Sequence, residues 1–201
     1  MATSDVPLAP DGADLPAGLE PTTELPSSLT GAEIEELVLE GVDLTSATLR
    51  EARLRDVVAV DGSWANADAE RARLTRVEVR RVRATGAGFA GASLLNVSFV
   101  DCRLDLASFR FAELERVRFE GCRLEEADFY DARLTSVVFA DCSLVRASLA
   151  GATFTRSELR GCDLTGIGNP ERLRGVRMPW PDVVAAAGAL AEAAGVEILD
   201  G

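Results

Sequence analysis

The stretch of residues 101–124 reads DCRLDLASFRFAELERVRFEGCRL, and nearly the same four letters, DCRL and GCRL, open and close it. The chain has four cysteines, and each lies twenty residues after the last: Cys102, Cys122, Cys142 and Cys162. Self-similarity at a fixed period of about 20–50 residues is typical of solenoids and other repeat architectures. The cysteine spacing therefore predicts a chain that returns to the same wall of a coil every twenty residues.

A shorter period lies inside the longer one. Counting by fives from Leu39 to Leu164 gives 26 positions without an insertion, and most of them are Leu or Phe. A small or medium apolar residue stands two positions before each centre, in columns of cysteine, alanine or valine. A period of five fits neither an α-helix nor a flat strand. Four fives make one circuit, so we expect a square coil whose circuits stack about 4.8 Å apart.

The large centres and the cysteines are predicted to point inward and fill the coil. The predicted core includes Cys102, Cys122, Cys142, Cys162, Phe89, Phe99, Phe109, Phe119, Phe129, Phe139 and Trp64. The register is weakest around Trp64, where Ala59, Ala69 and Ala84 replace larger centres, which indicates volume compensation. Cysteines in one line inside a packed tube favour buried thiols over a tetrahedral metal site or disulfides.

Three of the five-residue units read CRLEE (residues 122–126), ADFYD (127–131) and ASLAG (147–151). They resemble the A-(D/N)-L-x-x motif of the pentapeptide-repeat family. The resemblance implies an all-β fold, a right-handed quadrilateral parallel β-helix, here with a C-terminal capping α-helix. This chain often has Arg, Ser or Glu before the centre, as at Arg103, Ser108 and Glu113, where the family commonly has Asp or Asn.

A β-helix has two open ends that must be covered. Residues 1–30, rich in Pro, Asp, Gly and Thr, are expected to be a disordered acidic tail before a β-helix at 31–166. Residues 167–201 are expected to form a cap with a short strand, a helix at about 181–194 and a final strand at 196–199. Helical spacing places four apolar residues on one face of that helix: Val183, Ala187, Leu190 and Ala194. This face is expected either to cap the end of the coil or, as the resemblance implies, to form a homodimer contact.

The composition excludes several kinds of chemistry. All 21 basic residues are arginine, and the chain has no histidine, so Ser-His catalysis, His-ligated metals and lysine Schiff bases are excluded. GAGFAG at residues 86–91 matches a dinucleotide-binding motif, but no βαβ unit surrounds it. We therefore predict a non-enzyme without cofactor or metal. The chain has no apolar run of about 18 residues and no signal-like N-terminus, so we expect a cytoplasmic protein without membrane contact.

The formal net charge of -12 is unevenly distributed. Residues 1–40 hold nine acidic residues and no basic one, whereas residues 41–165 hold 19 acidic residues and 18 arginines. Mimicry of duplex DNA requires anionic charge along the rod. The near-neutral body argues against an intense mimic, unless the acidic side chains segregate to one wall.

Three larger apolar side chains fall at outward positions: Leu106, Phe111 and Tyr130. They indicate either a surface that binds a partner or separately exposed residues without a shared role. The family resemblance implies a non-catalytic interaction protein, because some pentapeptide-repeat proteins bind DNA gyrase or topoisomerase IV, mimic DNA and protect against quinolones. The alternatives are a scaffold for another partner and a nucleic-acid-binding module that uses the arginine-rich early coils. Direct nucleic-acid binding is disfavoured, because those arginines point to different walls and acidic residues intervene.

Overall fold

The computed structural model describes residues 21–197. The chain winds as a parallel β-solenoid of about six turns with short helices at its C-terminal end, which confirms the β-helix predicted from the repeat. The described part of the chain has nine strands: β1 (Glu33–Glu40), β2 (Arg53–Val60), β3 (Arg73–Arg80), β4 (Ser93–Val100), β5 (Glu113–Glu120), β6 (Arg133–Thr135), β7 (Val138–Ala140), β8 (Thr153–Thr155) and β9 (Glu158–Arg160).

Each circuit pairs with the next through residues twenty apart, as Leu74 does with Leu94 and Phe99 with Phe119. We number the walls in chain order, so that wall 1 carries the cysteines and walls 2, 3 and 4 follow at steps of five residues. Walls 3 and 4 carry the named strands, while walls 1 and 2 are joined by single bridges such as Arg103 with Arg123. The twenty-residue register is unbroken from β1 to β9.

The corners of the square have one shared backbone conformation. Every fifth residue from Gly31 to Gly166, 28 positions in all, has a φ between 51° and 72°. Glycine, aspartate or asparagine, the residues that tolerate this left-handed region best, occupies 15 of the 28 corners. The left-handed corner turns the chain by one wall and leaves the corner side chain outside the tube.

Four corners are also coupled between circuits. The side-chain oxygen of an aspartate or asparagine lies where a Cβ would stand on the glycine twenty residues later. The four pairs are Asn66 with Gly86, Asp101 with Gly121, Asp131 with Gly151 and Asp141 with Gly161. Among residues 21–197, nothing lies within 4 Å of the corresponding position at Gly41. At the four paired corners glycine is therefore favoured by φ, and an added Cβ would also collide with the side chain of the preceding circuit.

Two columns of phenyl rings from opposite walls fill the middle of the tube. On wall 2 the Phe89, Phe109 and Phe129 rings stack with centroids 5.1 and 5.0 Å apart. On wall 4 the Phe99, Phe119 and Phe139 rings stack at 5.1 and 4.9 Å. The two columns meet edge to face at 5.8–6.2 Å, a preferred aromatic geometry, and all six rings are at most 2% exposed.

Trp64 lies inside the tube among small residues. It is 3% exposed, and Ala59, Ala69 and Ala84 are also buried. A small internal void of about 10 Å³ borders the indole; Ala69 lines this void, but Ala59 and Ala84 do not. The indole therefore occupies the space beside Ala59 and Ala84 more completely than the space beside Ala69.

The coil begins earlier than the sequence predicted. Thr22 pairs with Leu39, and Ser28 pairs with Thr48. Leu29 is buried and donates its backbone N–H to the Thr48 carbonyl at 2.7 Å, so it extends the five-residue series of centres. The expected boundary at residue 31 is therefore wrong for the described residues; residues 1–20 of the expected tail lie outside them.

The C-terminal cap also differs from the prediction. A 3₁₀ helix spans Pro170–Leu173, and the backbone of Arg177 pairs with Glu158 on top of wall 4. The single helix expected at 181–194 is two short helices, α1 (Trp180–Ala185) and α2 (Ala187–Ala193), which break at Ala186. Ala186 is 8% exposed because the break turns it onto the last coil. Residues 196–197 form no strand, and residues 198–199 of the expected final strand lie outside the described part.

The paired corners can be tested with Gly151→Ala against Gly41→Ala. Both substitutions place a side chain at positive φ, which costs roughly 1–2 kcal/mol. Gly151→Ala must also displace the Asp131 carboxylate, so it should cost about 1–3 kcal/mol more in the free energy of unfolding. The measurement is denaturant unfolding, and adding Asp131→Ala should recover the extra loss. Equal losses for the two single variants would contradict the coupling between circuits.

Volume compensation around Trp64 predicts that Trp64→Leu destabilises the protein by about 1–3 kcal/mol, because the alanines cannot fill the vacated space. Adding Ala69→Leu, which restores a large centre beside the void, should recover part of this loss. The matched control is Trp180→Leu, since Trp180 is 75% exposed. Thermal unfolding of Trp64→Leu and Trp180→Leu measures the difference. An unchanged melting temperature for Trp64→Leu would contradict volume compensation.

Candidate interaction surface

The cysteine column belongs to the packed interior of wall 1. Cys102, Cys122 and Cys142 are buried, Cys162 is half-buried, and all four are free thiols. The Cys102 and Cys122 thiols donate hydrogen bonds to the carbonyls of Val79 and Phe99 at 3.3 Å. The thiols therefore join successive circuits as well as filling space.

The surroundings of the thiols disfavour ionisation of Cys122, Cys142 and Cys162. A hydrogen bond with the Cys102 sulfur, together with burial, raises the pKa of Cys122 to about 12. The equivalent contact with Cys122 raises the pKa of Cys142 to about 12, and the contact with Cys142 raises the pKa of Cys162. Nucleophilic chemistry needs the thiolate, so this column is poorly suited to it.

Charged side chains on the walls are matched between circuits. Six arginines contact the carboxylate of the residue twenty positions earlier, at 2.5–2.9 Å: Arg53 with Glu33, Arg55 with Glu35, Arg76 with Asp56, Arg81 with Asp61, Arg133 with Glu113 and Arg146 with Glu126. Exposed pairs of this kind contribute little stability. Their main effect is to neutralise the walls, so these carboxylates do not form an anionic row.

The arginine-rich early coils are likewise engaged with acidic partners. Arg71 pairs with Glu70, and Arg80 pairs with Glu78, which is 7% exposed. The Arg83 guanidinium bonds to the Ser63 hydroxyl at 3.2 Å. A nucleic-acid site requires a basic stripe available to phosphates. These contacts leave little of the run available for that purpose.

The three predicted outward apolar residues lie near one another on wall 2. Leu106 and Phe111 occupy the two corners that bound this wall in one circuit, with φ of 60° and 58°. They are 57% and 54% exposed. Tyr130 lies in the next circuit, and its ring meets the Phe111 ring edge to face at 5.4 Å. We call the set of Leu106, Arg110, Phe111 and Tyr130 the wall-2 patch.

Arg110 holds the aromatic part of this patch in place, a role that the sequence analysis did not predict. Its guanidinium carbon lies 4.3 Å from the Tyr130 ring centroid and 5.7 Å from that of Phe111. Its Nη1 atom contacts the Asp128 carboxylate at 2.7 Å. Arg110 and Tyr130 are twenty residues apart, so they occupy the same outward position in successive circuits. That spacing is the sequence signal that could have indicated a cation–π contact.

The GAGFAG stretch lies directly before the patch on wall 2. Gly88 pairs with Ser108, so the outward positions of residues 86–91 stand one circuit below Leu106 and Phe111. These outward positions are Gly86, Gly88, Ala90 and Gly91. Because these residues have no bulky side chains, the stretch forms a flat surface, which we call the shelf, beside the two exposed apolar residues. Phe89 is buried and points into the core.

The cap residues expected to share one helix face do not share one environment. Val183 and Leu190 are half-buried, whereas Ala187 and Ala194 are exposed. The buried contact comes from Ala186, and Ala189 and Leu190 also pack against the core. Because the helix breaks at Ala186, the four residues do not form the single stripe that an unbroken helix would give. A homodimer contact through this cap stays a prediction.

A solenoid assembled from consecutive five-residue units is a repeat protein in which each circuit contacts its neighbours. A family model described as a pentapeptide repeat region matches residues 74–149, and one described as pentapeptide repeats (8 copies) matches residues 27–58. The two matches together cover more than half of the 201 residues. The chain belongs to the pentapeptide-repeat family.

Two solved structures are similar to this chain. Full-length QnrB1, a plasmid-mediated fluoroquinolone resistance protein, is 20% identical, with a TM-score of 0.50 over 86% of this chain and 99% of QnrB1. HetL, a pentapeptide repeat protein involved in heterocyst differentiation regulation in the cyanobacterium Nostoc, is 22% identical, with a TM-score of 0.38 over 76% and 90%. The likeness to QnrB1 shows the fold. No curated protein gives a significant match.

Within residues 21–197, no helix has both the length and the apolar character needed to span a membrane.

The cysteine column predicts that a thiol reagent at pH 8 modifies one thiol per native chain, at Cys162. The raised pKa of Cys162 should make this reaction slower than that of free cysteine, and the rate should increase as the pH rises and the thiolate forms. All four thiols should react in denaturant. Cys162→Ser is the control and should leave no reactive thiol, and modification of Cys102 or Cys122 in the native chain would contradict the packing.

Proposed function

We propose that this chain is a non-catalytic interaction protein that binds a protein partner through the wall-2 patch. The observation that carries the proposal is the pair of bulky apolar residues, Leu106 and Phe111, at exposed left-handed corners. Such side chains cost backbone strain and gain little burial in the free protein. Contact with a partner would bury them and offset that cost.

The composition of the patch supports this role. Tyrosine, arginine and phenylalanine are enriched in the buried centres of protein interfaces, and tyrosine and arginine dominate hot spots. In the patch the aromatic rings and the Arg110 guanidinium already contact one another, so little side-chain entropy remains to be lost on binding. The shelf of residues 86–91 offers a partner backbone or side chain space beside Leu106 and Phe111.

The partner class we propose is a type II topoisomerase, DNA gyrase or topoisomerase IV, with protection against topoisomerase poisons as the outcome. Support comes from membership of the pentapeptide-repeat family and from the shared fold with QnrB1. Mimicry of DNA would require free carboxylates along a wall. Because arginines neutralise many of the carboxylates, we propose recognition mainly by the wall-2 patch and not by a phosphate-like row.

The test uses Leu106→Gly and Phe111→Gly, singly and together. Glycine suits a left-handed corner, so both variants should fold with stability within about 1 kcal/mol of the parent. The parent should inhibit supercoiling by purified gyrase and reduce ciprofloxacin-induced cleavage. The double variant should lose both effects by at least about tenfold, because hot-spot truncation costs about 2 kcal/mol or more.

Ser136→Gly is the matched control, since it changes another left-handed corner, on wall 3, and should behave as the parent. If saturating parent protein neither inhibits supercoiling nor protects against cleavage, the topoisomerase assignment is wrong. If it does both and the double variant is unaffected, the wall-2 patch is not the binding surface.

A further inference from the structure

The last circuit of wall 1 has an open edge. In the circuit below, the backbone N–H groups of Leu144 and Arg146 donate to the Asp163 and Thr165 carbonyls at 2.8 and 2.9 Å, and the Cys142 carbonyl accepts from Asp163 N–H at 3.0 Å. Within residues 21–197 the equivalent groups one circuit later, the N–H of Leu164, the N–H of Gly166 and the carbonyl of Cys162, have no hydrogen-bond partner. Three backbone groups with the spacing of a strand edge therefore face away from the solenoid.

A cleft of about 560 Å³ lies over this edge. Its floor is residues 161–166, and its other wall is formed by Ala185 of α1, by Ala186 at the break, and by Gly188 and Ala189 of α2. The Asp182 carboxylate crosses the cleft at one end and accepts a hydrogen bond from Gly161 N–H at 2.8 Å. The helices thus stand back from the edge, and their small side chains leave room for an extended backbone.

We propose that this cleft binds an extended, basic, small-residue segment of a partner protein, which adds one β-strand to wall 1. Main-chain hydrogen bonds give affinity in strand addition, and alternate side chains give specificity. The cleft shares no residue with the wall-2 patch, so the proposal does not rest on the topoisomerase assignment.

The lower circuits fix the register of the added strand. One residue of the segment, which we call the anchor residue, donates its N–H to the Cys162 carbonyl and accepts from Leu164 N–H. The residue two positions later accepts from Gly166 N–H. The side chains on either side of the anchor point inward, over Cys162 and Leu164, where the alanines of α1 and α2 restrict them to small residues.

The anchor side chain stands over Asp163, and charge favours an arginine there. Elsewhere in the solenoid an outward carboxylate is met by an arginine of the next circuit, as Glu33 is by Arg53 and Glu113 by Arg133. Within the described part of the chain, the cleft lining holds the Asp163 and Asp182 carboxylates and no arginine. A hydrogen bond from Thr165 lowers the pKa of Asp163, which keeps this carboxylate charged near neutral pH.

The chain itself supplies a suitable probe. Residues 81–86, RVRATG, make this pattern on the circuit below: Arg83 N–H donates to the Gly62 carbonyl at 3.1 Å, and the Arg83 and Thr85 carbonyls accept at 2.7 and 2.9 Å. A fluorescein-labelled RVRATG peptide should bind the full chain in an anisotropy titration. It should also protect Cys162, which lines the cleft, from alkylation.

Two N-methylated peptides test the hydrogen bonding. Methylation of the second arginine, the anchor, removes the bond to the Cys162 carbonyl and should weaken binding by about tenfold or more. Methylation of the following alanine should have little effect, because in the solenoid the Ala84 N–H points to the next circuit, at Arg103. Equal effects of the two methyl groups would overturn strand addition.

The protein variants are Gly188→Leu, which fills the cleft, and Ala187→Leu, which adds the same side chain at an exposed position outside the lining. Only Gly188→Leu should abolish peptide binding, with no loss of melting temperature in either variant. Asp163→Asn should weaken binding of the arginine peptide several-fold.

Three results would overturn the proposal. The first is absence of peptide binding by a monomeric full-length chain. The second is a dimer in sedimentation that Gly188→Leu dissociates, because a second copy then fills the cleft. The third is peptide binding that begins only after residues 198–201 are removed, because the end of the chain itself then occupies the edge.

Discussion

The left-handed corner at every fifth residue is the constraint on which the structure depends. It turns the chain four times in twenty residues, so that residues twenty apart meet in register. It also decides which side chains enter the tube. The centre of each unit and the residue two before it point inward, and the corner side chain remains outside. Where an aspartate or asparagine stands at a corner, the corner one circuit later is often glycine, and this links the backbone geometry of neighbouring circuits.

Because the interior is filled by its own columns of Phe, Leu, Ala and Cys, the proposed recognition of a partner must use the outer walls and the two ends. Most of the wall charge is matched between circuits, as Asp56 is by Arg76 and Glu126 by Arg146. The informative features are the departures from this regular surface. Leu106 and Phe111 place exposed apolar groups at corners that favour glycine or aspartate, and within residues 21–197 the last circuit of wall 1 has backbone groups without hydrogen-bond partners.

Much of the fold and the three outward apolar residues of the wall-2 patch could be predicted from the sequence, but the cap and the position of Arg110 could not. The inward columns that contain Cys102 and Phe109 could be predicted from the strict period, because residues twenty apart occupy the same inward position in successive circuits. The cap could not be predicted in the same way, because alanine-rich residues 181–194 suit one long helix locally. In the structure two helices break at Ala186, which packs against the last coil, and Ala187 is exposed while Leu190 is half-buried. The position of Arg110 against Tyr130 depends on long side chains whose direction a period does not determine.

The sequence by itself determined the square coil, its register and its interior, because a five-residue period held over 26 units permits few other ways to bury the same side chains. Only the tertiary structure decided where the coil begins, how the cap folds, and which outward groups stand together. Those features arise where the repeat stops or where a side chain reaches across circuits. There the environment of a residue is set by neighbours distant in sequence, and periodicity no longer carries information about them.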